Sequence, residues 1–298
     1  MYTATLIVAK ASGSLDQDVV EHLCEHWDGR PILWLGVGEA AEFELALIPC
    51  DLEDIWQSLQ NRGIDLVLQP SETRQKAMLF ADMDSTIIQQ ESLDEIVLAA
   101  GVGGDQVKEI TARAMNGELD FSEALAARVL LLKGQSSEVI DIVLENSITV
   151  SSGARVLVNT MRANGHYAVL VSGGFSPIAS RVAQDVGFDE FFANEFALKD
   201  GVFTGEVVPP IVDRGFKRAA LESTASRRGI SQSGVIAVGD GANDLDMLAA
   251  AGTGVAMHAK PTVAQSCDIK INQADLRALL YIQGYRRSQF VDGSTGSF

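Results

Sequence analysis

The chain has 298 residues, 47% of them hydrophobic, which is enough for two domains and a substantial buried core. It carries 23 basic and 40 acidic residues and a formal net charge of -17, a balance that opposes binding to nucleic acid and to anionic membranes. The composition therefore excludes a general nucleic-acid-binding or membrane-surface protein.

The cysteines and the N-terminus indicate the compartment. Cys24, Cys50 and Cys267 form neither an even disulfide framework nor a CxxC metal clip, which favours a reducing environment. The start, MYTATLIVAKAS, has no basic region before its apolar residues, and no segment reaches the roughly 18 unbroken apolar residues of a membrane span. We therefore expect a soluble, cytoplasmic protein.

Residues 1–72 show the element order βαββαβ. TATLIVA reads as a strand, and Leu15, Val19, Val20 and Leu23 then follow at helical spacing. The short strands PILWL and EFELALI flank the Gly-rich GVGEAAE, and the helix DLEDIWQSLQNRG precedes the strand DLVLQ. This order predicts a ferredoxin-like α+β domain, a four-stranded antiparallel sheet with two helices on one face.

The same order resembles the ACT domain, a small module that often binds amino acids or forms dimers. The resemblance implies a homodimer through the N-terminal domain, or an amino-acid sensor. The turn KASGSLD has a single glycine and lacks the fuller ligand-binding loop of sensing ACT domains. This feature argues against a sensing role.

A second domain is predicted over residues 73–298. The polar segment PSETRQK is typical of a linker. After it, the apolar runs AMLFA, YAVLVS and VIAVG alternate with longer helical stretches, which indicates a Rossmann-like α/β core with a parallel sheet. Between about residues 86 and 150 the pattern is helical only, too long for a loop, and predicts an inserted helical cap.

Acidic residues follow two of these strands. Asp82 and Asp84 come directly after AMLFA, and Asp240 follows VIAVG, with Asn243 and Asp244 close behind. DMDST alone is equally well explained as a capped turn before a helix. Because ligands bind beyond the carboxyl ends of parallel strands, two such clusters point to one site, and crowded carboxylates favour a divalent cation such as Mg²⁺.

A hydroxyl, flexible backbone and a lysine complete the pattern. Ser172 and Gly173 end the run YAVLVSGG, where backbone N–H groups can approach an anion closely. Lys217 stands at the start of a helix in DRGFKRAAL. Each feature alone is more simply a turn or a solvated lysine. Their order along the chain is what indicates a phosphate site.

The constellation DMDST, VSGGF, Lys217 and GDGANDLDML resembles the four motifs of the haloacid dehalogenase superfamily of phosphohydrolases. The resemblance implies that Asp82 is a carboxylate nucleophile and that Asp84 is the general acid and base. It also implies that Asp82, the main-chain carbonyl of Asp84, and Asp240 hold Mg²⁺. Ser172, Gly173, Lys217 and Asn243 would bind the phosphoryl group, and Asp244 would support the metal from outside its immediate shell.

Within that superfamily, the inserted segment and its spacing resemble those of the phosphoserine phosphatase family. The resemblance spans about residues 77–283. The resemblance implies O-phosphoserine as the substrate, hydrolysed at the last step of L-serine biosynthesis. Glu91 would meet the substrate ammonium and Arg128 its carboxylate, through a planar two-pronged contact. Met115 and Phe121 match apolar cap positions that cover the substrate.

Two alternatives stay open. One is a phosphatase of the same superfamily that acts on another small phosphomonoester, although a sugar phosphate would offer no charges to Glu91 and Arg128. The other is a regulatory protein in which residues 1–72 sense an amino acid. The intact set of Asp82, Asp84, Lys217 and Asp240 favours an enzyme.

Overall fold

The computed structural model describes residues 1–9, 13–116 and 118–292, except for the side chain of Met115. Its strands form two sheets, one of four strands and one of seven. Among these residues no helix has both the length and the apolar content needed to cross a bilayer. The three cysteines are free, as their spacing predicts.

The N-terminal elements form the four-stranded sheet, called here the small sheet, and its two helices. Its strand order is β2-β3-β1-β4, and every pair is antiparallel. Helix α1 begins where the Asp16 side chain accepts the backbone N–H of Asp18, a common way to satisfy a free helix-end donor. The elements are β1 (Tyr2–Val8), α1 (Gln17–His26), β2 (Leu33–Gly36), β3 (Ala40–Leu45), α2 (Leu52–Gln60) and β4 (Ile64–Pro70).

The remaining elements include the seven-stranded large sheet, with strand order β11-β10-β9-β5-β6-β7-β8. All neighbours pair in parallel except β7 and β8. This confirms the predicted α/β class with a separate antiparallel sheet. The elements are β5 (Met78–Asp82), α3 (Ser92–Ala99), α4 (Gly104–Met115), α5 (Phe121–Leu131), α6 (Val139–Asn146), α7 (Ala154–Ala163), β6 (Tyr167–Phe175), α8 (Ser176–Val186), β7 (Glu190–Lys199), β8 (Val202–Val208), α9 (Arg214–Arg228), β9 (Val235–Gly239), α10 (Leu245–Ala250), β10 (Thr253–Met257), α11 (Pro261–Ser266), β11 (Ile269–Ile271) and α12 (Ala278–Tyr281).

The central strands of the large sheet are apolar along their whole length because both faces are covered. In β5, Leu79 and Phe80 point to opposite faces, and each is 0% exposed. Leu79 packs in one hydrophobic cluster and Phe80 in another. The sheet is therefore a rigid platform, and only its strand ends are available for chemistry.

Helices α3 to α6 form the helical insert, which leaves the core after β5. The chain departs and returns through a short antiparallel contact between Ile88 and Val150. The backbone N–H of Gln89 donates to Thr149 at 3.0 Å beside it. A second isolated bridge, between Ser136 and Val202, also ties the four-helix unit to the large sheet.

The small sheet is buried on both faces. Ala4 and Leu6 of β1 pack against α1 and α2. Ile7 and Val67 lie on the opposite face, in the same hydrophobic cluster as Tyr281 of the large-sheet region. The small sheet therefore lacks the solvated face that a free-standing sheet of this type would expose.

Asp65 of β4 adds a polar contact between the small sheet and the rest of the chain. Its carboxylate is 0% exposed and accepts backbone N–H groups from Asn272, Gln273 and Ala274 at 2.8 to 3.2 Å. Gln60 donates a further hydrogen bond to it at 3.1 Å. A buried carboxylate held by several N–H donors fixes the loop after β11 against β4.

Replacing this carboxylate should destabilise the whole chain. Asp65→Ala leaves three backbone donors without their partner, so we expect the free energy of unfolding to fall by about 3–5 kcal/mol in denaturant titrations. The exposed Asp268 supplies a matched control, because Asp268→Ala should change stability by less than about 0.5 kcal/mol. Equal effects from the two substitutions would contradict a stabilising contact at Asp65.

Candidate active site

The strand order brings the predicted site residues to one edge. Strand β5 lies between β9 and β6. Asp82 ends β5, Asp240 follows β9, and Ser172 lies near the carboxyl end of β6. Because the three strands are parallel, these side chains gather at the same edge of the sheet.

Lys217 is fully buried at this edge. Its ammonium donates to Asp82 Oδ1 at 2.5 Å and to Asp244 Oδ1 at 2.7 Å. The first turn of α9 carries it, and Asp213 begins that helix by accepting the backbone N–H of Phe216 at 2.8 Å. The sequence around Lys217 is typical of a solvated lysine, but the structure shows that Lys217 makes two ion pairs away from water.

Three carboxylates cluster around this ammonium. Oxygens of Asp82, Asp240 and Asp244 lie within 4.8 Å of one another. Asp244 is held in place because its Oδ2 accepts the backbone N–H groups of Asp240 at 3.1 Å and Gly241 at 3.0 Å. A Cβ at Gly239 would approach the Asp244 carboxyl group to 2.5 Å, so this position has room only for glycine.

The cluster has more negative than positive charge. Burial, followed by the neighbouring charge of Asp244, raises the pKa of both Asp82 and Asp240 well above its usual range. Burial alone would lower the pKa of Lys217, but Asp244 and Asp82 hold that pKa above its ordinary value. One ammonium cannot neutralise three carboxylates, so this all-oxygen group is suited to hold a divalent metal ion.

Asp84 lies outside that group of three carboxylates and lines the adjoining cavity. Its Oδ1 accepts the backbone N–H of Ser92 at 3.0 Å. The turn is tight, since Ser85 has a left-handed φ of 56°. Burial and then the negative charge of Glu91 raise the pKa of Asp84 to about 7. A carboxyl group with this pKa can both donate and accept a proton near neutral pH.

The loop after β6 forms another wall. The Ser172 hydroxyl is buried and accepts the backbone N–H of Gly174 at 2.8 Å. A Cβ at Gly173 would lie 2.6 Å from Phe121 of the helical insert, so the insert contacts this loop directly. Asn243 Oδ1 is buried and has no hydrogen-bond partner within the described part of the chain. Such an atom is available to a ligand.

The insert closes a small cavity over these groups. The cavity is lined by both carboxylates of DMDST, the loop after β6 and residues of the insert: Asp82, Asp84, Glu91, Leu93, Phe121, Arg128, Gly173, Gly174 and Asn243. Glu91 accepts a hydrogen bond from Ser85 Oγ at 2.7 Å. Met115 ends α4, but its side chain lies outside the described residues, so its predicted contact stays a prediction.

Some residues at the site were not singled out from the sequence. Thr86 donates to Asp240 Oδ1 at 3.1 Å. Ser92 Oγ is buried without a partner among the described residues, and it and Asp84 Oδ2 would each lie 2.8 Å from a Cβ at Gly174. Thr86 follows the two aspartates in DMDST and was explained only as part of a turn. Ser92 carries no signal beyond its place at a helix start.

A more spacious cleft lies between the small sheet and the α10–β10 region. It is lined in part by Gln69, Arg214, Asp246 and Cys267. Arg214 and Asp246 form an ion pair with each other. The cleft has no group of like charges in need of a ligand among its described residues. The chemistry therefore favours the smaller cavity at the strand ends.

Lys217 can be tested by removing its charge. Lys217→Met leaves buried carboxylates unpaired, so in metal-free buffer we expect the free energy of unfolding to fall by about 3–5 kcal/mol at neutral pH. The deficit should shrink as the pH is lowered, because groups with a raised pKa bind protons in the folded state and lose their charge. Lys199→Met, at an exposed position, is the control. A deficit that does not change with pH would argue against charge as its cause.

Comparisons with known proteins agree with this geometry. The family model of haloacid dehalogenase-like hydrolases matches residues 79–249. A phosphoserine phosphatase of Lactococcus lactis is 42% identical over 205 residues, which cover 69% of this chain and 94% of that protein. One from Archaeoglobus fulgidus is 41% identical over 219 residues, 73% of this chain, and the chain spans only 63% of that relative's length.

A solved structure extends the likeness to the small sheet. A HAD family hydrolase from Salmonella enterica serovar Typhi has a TM-score of 0.83 and 28% sequence identity, and the match covers 95% of this chain and 98% of that one. Its match includes both sheets, whereas the Lactococcus match covers 69% of the chain. The chain thus belongs to the haloacid dehalogenase-like hydrolases and, within them, to the phosphoserine phosphatase family.

Proposed function

We propose that the chain is a Mg²⁺-dependent phosphoserine phosphatase, which hydrolyses O-phospho-L-serine to L-serine and phosphate at the last step of L-serine biosynthesis. One observation carries the proposal. The cavity beside the buried Lys217–Asp82 pair is also lined by a carboxylate, Glu91, and a guanidinium, Arg128. Phosphoserine has a phosphate, an ammonium and a carboxylate, and each would meet an oppositely charged group.

The first half-reaction transfers the phosphoryl group to Asp82. A carboxylate oxygen of Asp82 forms a bond to phosphorus while the bond from phosphorus to the serine oxygen breaks. Asp84 donates its proton to that oxygen, so serine leaves as a neutral alcohol. Support for this role comes from the pKa of Asp84, which burial and the charge of Glu91 raise to about 7.

The second half-reaction returns Asp82 to its starting state. Asp84, now ionised, takes a proton from water, and the oxygen of that water forms a bond to phosphorus. The bond between phosphorus and Asp82 breaks, and phosphate leaves. Asp84 is protonated again at the end, so no other acid or base is required.

Mg²⁺ would be held by Asp82, the main-chain carbonyl of Asp84, and Asp240. When bound, it would neutralise charge on the phosphoryl oxygens and among the carboxylates. Asp244, held by two backbone N–H groups and Lys217, would support the ion from behind its ligands. The all-oxygen donors of the carboxylate cluster suit a hard cation of this kind.

Chain residues would bind the transferred phosphoryl group. Lys217 carries a positive charge beside Asp82, and Ser172 and Gly173 offer a hydroxyl and a backbone N–H. The amide of Asn243 is a further candidate, since its side chain lines the cavity, its buried oxygen has no partner among the described residues, and an amide nitrogen is a hydrogen-bond donor. Donors fixed before the reaction stabilise the transition state without reorganising.

Substrate choice would depend on the insert. Glu91 would bind the ammonium group of phosphoserine and Arg128 its carboxylate, and Phe121 and Met115 would cover the apolar carbons. Another small phosphomonoester is the nearest alternative, but it would leave Glu91 or Arg128 without an opposite charge in the cavity. The loss of an opposite charge from the ligand makes this alternative less favourable.

We infer that residues 1–72 form an ACT-like domain and residues 73–298 the phosphatase domain, with the cap at about 86–150. Dimerisation through the ACT-like domain would have to use the outer surface of its helices or an edge of its sheet, because its other sheet face is buried. The free cysteines support a cytoplasmic location.

The nucleophile and the acid can be tested separately. Asp82→Asn should abolish phosphate release from phosphoserine because an amide cannot attack as a carboxylate does. Asp84→Asn should slow it by about 10²–10⁴-fold, the typical value of acid–base catalysis. Phosphate release from a panel of small phosphomonoesters, with and without Mg²⁺, measures both. Wild-type rates in Asp82→Asn, or no preference for phosphoserine in the panel, would refute the proposed function.

Arg128 separates phosphoserine specificity from general phosphatase chemistry. Arg128→Ala should reduce kcat/KM for phosphoserine. The reduction should correspond to a loss of about 2–4 kcal/mol of transition-state stabilisation, as expected for a two-pronged charged contact. It should hardly affect phosphoethanolamine, which has no carboxylate. Arg128→Lys should restore only part of the loss, because an ammonium lacks the planar fork. Equal losses on both substrates would mean that Arg128 serves cap folding and not specificity.

A further inference from the structure

Two buried residues of the insert that the proposed mechanism does not use surround Arg128. Asp94 lies on α3 and Thr111 on α4, whereas Arg128 lies on α5. They are 6%, 4% and 3% exposed respectively, so water does not screen the contacts between them. Three helices of the insert thus meet at one polar cluster.

The hydrogen bonds run in one direction through Thr111. Arg128 Nη1 donates to Thr111 Oγ1 at 2.9 Å, and Thr111 Oγ1 donates to Asp94 Oδ1 at 2.6 Å. Arg128 Nη1 and Asp94 Oδ1 are 3.6 Å apart, so the arginine contacts the aspartate directly only as an ion pair. The threonine hydroxyl is therefore the link that sets the distance and angle between the two charges.

This arrangement leaves part of the guanidinium available. Arginine has five N–H donors. Within the described residues, Nε donates to the Ala124 carbonyl at 3.3 Å and Nη1 to Thr111, and these are its hydrogen bonds. Three donors therefore stay free on a side chain that also lines the cavity containing Asp84 and Glu91. One side of the group is anchored while the other faces the cavity.

We propose that Thr111 and Asp94 are positioning residues for Arg128, which hold its guanidinium in the orientation that receives the carboxylate of the substrate. The inference rests on the proposed phosphoserine phosphatase activity and adds two residues to its specificity. A long arginine side chain loses considerable conformational freedom when it is fixed in one orientation. The Thr111 hydroxyl and the Asp94 carboxylate fix the arginine when the protein folds. Substrate binding therefore does not carry the entropy cost of ordering this side chain.

The charge of Asp94 supports this role. An arginine buried without a counter-ion is costly, and a carboxylate 3.6 Å away partly balances it while the cavity is empty. Burial raises the pKa of Asp94 to about 6, so the group is still mostly ionised at pH 7.5. The anchoring anion is thus present under the conditions in which the enzyme would be tested.

The test compares two substrates that differ only by a carboxylate. Thr111→Val keeps the shape of the side chain and removes the hydroxyl link. We expect kcat/KM for phosphoserine to fall about 10- to 100-fold, mostly through KM, as is typical of losing a hydrogen bond to a charged group. The value for phosphoethanolamine should change less than about threefold. Thr111→Ser keeps the hydroxyl and should restore the wild-type ratio of the two values.

Further variants separate positioning from folding. Thr160→Val also removes a buried hydroxyl, one that accepts the backbone N–H of Val291 at 2.8 Å outside the insert, and it should leave the ratio unchanged. In an Arg128→Ala background, Thr111→Val should not lower the ratio further, since there is no guanidinium to position. Asp94→Asn keeps an oxygen that can accept from Thr111, so it should alter the ratio less than Thr111→Val does.

The outcomes are distinct. An unchanged ratio in Thr111→Val, or equal losses on both substrates, would overturn the positioning role while the proposed function stands. A larger change in Asp94→Asn than in Thr111→Val would overturn the role of the hydroxyl as the link. A wild-type enzyme with no preference for phosphoserine over phosphoethanolamine would overturn this inference and the proposed substrate together.

Discussion

The buried ammonium of Lys217 is the contact around which the site is organised. It carries one positive charge between Asp82 and Asp244, where no water reaches, and Asp240 adds a third carboxylate nearby. Burying these charges is energetically acceptable only if β5, β9 and α9 hold the groups at hydrogen-bonding distance. The apolar strands supply that rigidity, because each side of the sheet is closely packed. The remaining negative charge is the physical reason to expect a divalent cation.

The strand ends were predictable because two simple patterns coincide there. A fully apolar run followed at once by Asp82, and another followed by Asp240, indicates buried parallel strands with polar ends. The pairing of Lys217 was not predictable from its own neighbours, since a lysine in a first helical turn is usually solvated. The resemblance to a family placed Lys217 at the phosphate site but did not predict its ion pairs with Asp82 and Asp244. Asp94 and Thr111 lie 17 residues apart on different helices, and no local pattern brings them together.

The N-terminal region shows a second limit of sequence patterns. The order βαββαβ predicts a four-stranded sheet with one helical face, and the structure has that sheet. Strand β1 is nevertheless buried along nearly its whole length, because Ile7 faces the large-sheet region and Leu6 faces the helices. Asp65 gives no sign in the sequence that it is buried. Docking between two folded parts depends on tertiary shape, which strand periodicity does not encode.

The proposed substrate would contact two parts of the molecule, the large-sheet region and the helical insert. Lys217 belongs to the large-sheet region, whereas Arg128 belongs to the insert. The insert is joined to the rest of the chain by isolated strand contacts between Ile88 and Val150 and between Ser136 and Val202, among other contacts. Phe121 lies against the Gly173 loop and lines the cavity, so the insert covers the site. Phosphoserine would bind the core through its phosphate and the insert through its carboxylate. Under the proposed function, the contact that selects the substrate is therefore also one that favours the closed, water-excluding state in which the phosphoryl group is transferred.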